Sequence, residues 1–204
     1  LLSHQCGLYT VDGDISLAEA LDWSTITARL AATAPRWEIG TKHGYHALTY
    51  GWLAGELVRR VDPAHRSLPS AKLEALKFDT IKGDTYFRKE DHHYIGEVDG
   101  VRLLAPATVE TARRTVTPDG EPDACLIMPT TFGMGFMTHG QFTPYSGAGS
   151  FGHPGAGGSV AFAQPERQLG FAYVMNQMAT NLANDRRAQV LTDAAAACAD
   201  AASR

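Results

Sequence analysis

Two apolar runs, Ser159 to Ala163 and Leu169 to Met175, stand on either side of Gln164-Pro165-Glu166-Arg167-Gln168. Extended apolar pieces joined by a short polar link read as a β-hairpin. The hairpin constrains what can surround it. Upstream, Thr131 to Thr138 alternates glycine with Phe132, Met134 and Phe136, the pattern of a strand approached closely by other backbone. Glycines crowd Ser146 to Gly158 just before the hairpin. Downstream, the alanine-rich tail from about Asn184 to Ala202 predicts a terminal helix that covers one face of the sheet.

The first third of the chain has a different period. Ser16-Leu17-Ala18-Glu19 is a capping box opening a short helix through Leu21, and a second helix from Ser24 to Ala32 ends before Pro35. The stretch from Gly44 to Val61 then places Tyr50, Leu53, Leu57 and Val61 at helical spacing, widened by Leu48 and Trp52. This predicts a long helix buried on much of its circumference. Arg59 and Arg60 suit its C-terminal end, and Asp62-Pro63 stops it. Tyr45 falls in its first turn, where free N–H groups favour a phenolate. Pro106 is placed to open a helix to about Arg114, and Val98-Asp99-Gly100-Val101 reads as a tight turn between short extended pieces. A short amphipathic piece spans Ala71 to Phe78, and Pro118 to Asp123 is a polar loop. Helices first, then strands and a closing helix, predict an α+β fold, with 1–115 mainly helical and 128–204 forming the sheet portion.

With 44% hydrophobic and 20% charged residues in 204, the chain suits one compact domain or a two-lobed one. A net charge of −4 without a basic run argues against nucleic acid as a partner. Cys6, Cys125 and Cys198 have no metal-binding or CxxC spacing, and their odd count suits a reducing cytoplasm. No apolar run reaches membrane-spanning length, and no signal peptide opens the chain. Asp91-His92-His93 lacks the further ligand that a metal centre needs, so no metal or other cofactor is expected. The composition leaves oligomeric state open.

Two glycine-flanked places could carry chemistry: Tyr45, and His153-Pro154-Gly155-Ala156-Gly157-Gly158. On local grounds alone, the tyrosine reads as a packing residue and the glycine run as a turn that also allows close backbone approach to a ligand. Three segments together resemble the serine β-lactamase and penicillin-binding superfamily, in the branch of class C β-lactamases and family VIII carboxylesterases. Leu1-Leu2-Ser3-His4-Gln5-Cys6-Gly7-Leu8 resembles the segment that follows the nucleophile region. Trp37 to Ala47 resembles the second motif, Tyr-x-Asn or Tyr-x-x, with Ile39-Gly40 where Pro-Gly is usual. Phe151 to Ser159 resembles the third motif, Lys-Thr-Gly or His-x-Gly.

The resemblance implies a β-lactamase-like fold, an antiparallel sheet flanked by helices with a helical lobe, of which this chain is a part. It also implies acyl-enzyme hydrolysis of a small ester or lactam, in which Tyr45 carries the proton of an attacking serine. His153 stands at the third-motif lysine, Ala156 supplies an oxyanion N–H, and Gly155, with Gly157 after it, lets substrate lie against the strand edge. Histidine in place of lysine, and Ala47 in place of asparagine, favour an esterase over a β-lactamase. The Ser-x-x-Lys of the family is missing: Ser70-Ala71-Lys72 is one residue too short to put both side chains on one helical face. The expectation is that the nucleophile lies upstream in a longer protein and that chain is also missing between 66 and 96. The competing reading is a non-catalytic member that binds a ligand or partner in the same cleft.

Overall fold

The computed structural model describes residues 1–65, 97–98, 101–102, 104–118 and 120–203. The amphipathic piece at Ala71 to Phe78, Ser70-Ala71-Lys72 and Asp91-His92-His93 lie outside them. The chain divides into two compact units, Leu1–Phe78 with Gly120–Met128, and Asp79–Asp119 with Pro129–Arg204.

In the first unit, α1 (Leu17–Leu21) begins at a complete capping box: the Ser16 hydroxyl accepts from Glu19 N, and the Glu19 carboxylate accepts from Ser16 N. Asp22 closes α1 and caps α2 (Trp23–Ala32) through Thr25 N at 2.7 Å. The third helix, α3 (Thr49–Val61), starts four residues after Tyr45, with Leu48 as a cap that offers no side-chain bond. Tyr45 therefore lies in irregular chain ahead of the helix, and the first-turn argument for a phenolate does not apply. Nor is α3 buried on much of its circumference: Leu57 and Val61 are exposed at 45% and 71%. Its inner side packs Trp52 and Leu53 on the cluster of Val11, Ile26 and Leu30. Its last turn folds back on itself, Arg59 and Arg60 both reaching Glu56 at 2.9 and 3.0 Å.

The second unit contains a short antiparallel pair, β1 (Glu97–Val98) with β2 (Val101–Arg102), in the predicted register Val98↔Val101. Pro106 opens α4 (Pro106–Ala112) as its first residue. The sheet proper is β3 (Met137–Thr138), β4 (Phe151–Pro154), β5 (Val160–Gln164) and β6 (Leu169–Tyr173), all antiparallel in that order. Its last helix, α5 (Arg186–Ala202), packs Ala195 and Ala196 on Phe162, Leu169 and Phe171. Residues of the opposite parity, Phe151 and Ala163, turn to the other face and meet Val109 of α4. Helices thus cover both faces, as an α+β reading requires. No helix among the described residues is long and apolar enough to cross a membrane.

The alternation from Thr131 to Thr138 does not form one strand. Only Met137–Thr138 pairs with β4, while Phe132 bridges back to Met137 and Gly133 N bonds Phe136 O at 2.9 Å. The close backbone approach is real, since a Cβ at Gly133 would lie 2.2 Å from the Ala112 carbonyl oxygen. Turning away there has a consequence for β4. Beyond Gly152, the β3 side of β4 has no strand partner among the described residues.

Between β4 and β5 the approach is closer still. A Cβ on Gly152 would stand 2.1 Å from Ala161 O and 2.5 Å from Phe162 Cα. Gly152→Ala is expected to destabilise the protein by about 3 kcal/mol, because both obstacles are backbone and the strands must part. Urea denaturation of the purified variant measures the loss. A midpoint equal to that of the wild type would show that the pair can spread at no cost.

Candidate active site

Tyr45 is fixed through its backbone. Its N–H points at the Asp123 carboxylate, with both oxygens at 3.0 Å. Asp123 is fully buried and also accepts from Cys125 N at 2.8 Å and Leu126 N at 2.9 Å, the pattern of an Asx turn extended to a distant strand of chain. On the other side, His46 N donates to His4 Nδ1 and Gly44 N donates to His4 O, each at 3.1 Å. The Tyr45 ring stands edge-on to His4 with centroids 5.3 Å apart. Burial raises the phenol above its ordinary pKa of 10.0. At neutral pH the hydroxyl is protonated.

In the second unit, His153 and Pro154 end β4 and Gly155 to Gly158 form the turn into β5. His153 is exposed, and its Nδ1 donates to Pro154 O at 2.6 Å, a carbonyl being unable to do anything but accept. The turn is tied down donor by donor. Gly155 N bonds Ser159 O at 2.7 Å, Gly157 N bonds Asn181 O at 3.0 Å, and Gly158 N bonds Gly155 O at 3.2 Å. Ala156 is the one residue of the turn whose N–H donates to no carbonyl among the described residues. Gly157 and Gly158 take φ of +91° and +118°, which a side chain rarely allows.

The loop after β6 and the start of α5 hold this turn from behind. Ala179 N donates to Gly157 O at 2.8 Å, and Arg187 reaches the same oxygen at 3.4 Å while pairing with the helix cap Asp185 at 2.7 Å. Arg187 holds the Asp185 carboxyl down at about 2. Asn181 donates its side-chain amide to Ala183 O within its own loop at 2.9 Å.

The chain matches the family model described as Beta-lactamase over residues 1–71 and 94–196. It is a member of the beta-lactamase family. Among curated relatives of this family member is the protein named Esterase/beta-lactamase LipL of Mycobacterium tuberculosis, 25% identical over 263 aligned positions. That alignment covers 89% of this chain and 59% of LipL, so the chain spans less than two thirds of its relative. Among solved structures, a family VIII carboxylesterase superposes with a TM-score of 0.80 at 25% identity, covering 97% of this chain and 69% of that one. A penicillin-binding protein homolog from Caulobacter crescentus gives 0.75 at 29%, covering 96% and 69%. The sheet with its helices is thus the beta-lactamase-like fold.

The predicted residues fall in two groups. His153, Gly155, Ala156 and Gly157 come together at one end of β4, and Tyr45 belongs to the other unit. Sequence reasoning missed Asp123, His4, His46 and Cys6. The spacing of Cys6 points to no partner, yet its Sγ lies 3.2 Å from His46 Nε2. The signal available for Asp123 was local: an aspartate before Ala124-Cys125-Leu126 is an Asx-turn former. Nothing in the spacing joins it to Tyr45.

Proposed function

We propose that this chain supplies two of the three catalytic segments of a serine hydrolase that cleaves carboxylic esters through an acyl-enzyme. Tyr45 moves the proton of the attacking serine, and the Ala156 N–H holds the oxyanion that forms on the substrate carbonyl. His153 takes the place of the third-motif cation. The observation that carries the reading is the Ala156 N–H, which has no carbonyl partner among the described residues while the turn's other N–H groups are engaged, at the end of a strand whose β3 side is unpaired beyond Gly152 among those residues. Gly155 and Gly157 keep that edge clear for substrate. The family relatives, named as esterases, a β-lactamase and a penicillin-binding homolog, favour acyl transfer over other chemistry. Histidine at 153 and alanine at 47 favour an oxygen ester over a lactam.

The mechanism takes its serine from outside these 204 residues, which contain no Ser-x-x-Lys. That absence favours the second reading, a non-catalytic member that binds a ligand with the same cleft. Intact-mass spectrometry of the full-length protein after a fluorophosphonate or a penicillin separates the two. A mass increase of one adduct on a serine supports the hydrolase, and an unchanged mass with every acylating probe supports the binding protein.

A further inference from the structure

His46 and Cys6 are both buried, at 1% and 7% exposure. The His46 ring is held at both nitrogens. Nδ1 lies 2.6 Å from the Gly44 carbonyl oxygen and Nε2 lies 3.2 Å from Cys6 Sγ. A carbonyl oxygen only accepts, so Nδ1 carries the proton; Nε2 is then the acceptor and the Cys6 thiol the donor. With a neutral imidazole and a thiol, both ring nitrogens are satisfied. The backbone of the same residue donates to His4 Nδ1, and the His4 ring packs on Tyr45 at 5.3 Å and on Tyr50 at 4.7 Å.

We infer that Cys6 and His46 are positioning residues for Tyr45. The Gly44 carbonyl fixes one tautomer of His46, the thiol ties down the far side of the ring, and the held ring pins the peptide that leads into Tyr45. Asp123 holds the tyrosine N–H from the opposite side, so the phenol is aimed by a clamp with two jaws. The inference rests on Tyr45 being the proton carrier of the proposed hydrolase.

The clamp has a pH limit. The groups facing His46 are the Cys6 thiol, the rings of His4 and Tyr9, and the Asp123 carboxylate. Burial outweighs the rest and lowers the His46 pKa below 6.5; the Gly44 bond and Asp123 oppose it. The unfolded chain takes up a proton near 6.5 that the folded one resists. Stability from this ring is complete above that pH and falls as pH drops through it.

Nitrogen-15 NMR of the imidazoles in the full-length protein reads the couple directly. In the wild type, His46 is expected to show a protonated Nδ1 and a bare Nε2 at pH 8, with a titration midpoint below that of a free imidazole. Cys6→Ala is expected to leave Nε2 without its donor, shifting its nitrogen signal and raising the ring's titration midpoint; Cys6→Ser, which keeps a donor, is expected to preserve both. With p-nitrophenyl acetate, Cys6→Ala is expected to lower kcat about tenfold with KM little changed, and Cys6→Ser to recover most of it. A wild-type His46 protonated on Nε2, or wild-type nitrogen signals and kcat in Cys6→Ala, would overturn the inference. If the wild type hydrolyses no ester, the hydrolase reading fails, and the nitrogen spectra alone still decide whether the couple exists.

Discussion

Asp123→Ala is expected to cost about 3–5 kcal/mol of folding free energy, the largest loss of any single substitution considered. The carboxylate is fully buried and takes N–H groups from Tyr45, Cys125 and Leu126. An alanine leaves these donors without an acceptor, and each buried donor left unmet costs about 1–3 kcal/mol. Some recover a partner when water enters the space, which keeps the total below the simple sum. Asp123→Asn retains one acceptor oxygen in nearly the same place and is expected to lose about 1–2 kcal/mol. Urea denaturation of both variants, followed by tryptophan fluorescence, gives the comparison; Trp37 lies in the segment just before Tyr45. An alanine variant within about 1 kcal/mol of wild type would mean that the 120–128 segment is not what holds Tyr45.

The same residue shows why the site was only half legible. Hydrophobic period and local caps are written in neighbouring residues, so α1, α2, α5 and the β5–β6 hairpin could be read within a residue or two. Tyr45 and the turn at Gly155 to Gly158 were found through the order of three segments, a signal that survives without any knowledge of contacts. Asp123 is 78 positions from Tyr45 along the chain, and its partners are backbone N–H groups, which every residue has. No pattern of side chains announces such a bond. The start of α3 failed for a related reason. The apolar spacing is helical from Leu48 onward, but the 44–46 backbone is claimed by Asp123 and His4, and those tertiary bonds win over a local preference. The turn at 133–136 is the third case. A glycine-aromatic alternation suits a strand, yet Met134 N donates to Ala112 O at the end of α4 and Gly133 N to Phe136 O, so the chain turns there.

Tyr45→Phe is expected to lower ester hydrolysis by the full-length protein by about 10²–10⁴-fold while leaving the fold intact. The reasoning separates the two roles of the residue. What fixes Tyr45 is its backbone N–H on Asp123 and its ring against His4, and phenylalanine keeps both. The stability change should therefore stay within about 1 kcal/mol, the worth of one hydroxyl. What the variant lacks is the ionisable oxygen. Burial holds that phenol above 10, so it carries a proton at pH 7, and a base role requires a cation brought beside it. The activity of the wild type should then rise with pH and that of the variant should lose the alkaline dependence along with most of its rate. Covalent labelling by a fluorophosphonate should slow in parallel, because serine attack is the step that releases the proton. A phenylalanine variant hydrolysing within threefold of the wild type, with the same pH profile, would remove Tyr45 from the chemistry and leave it a packing residue beside His4.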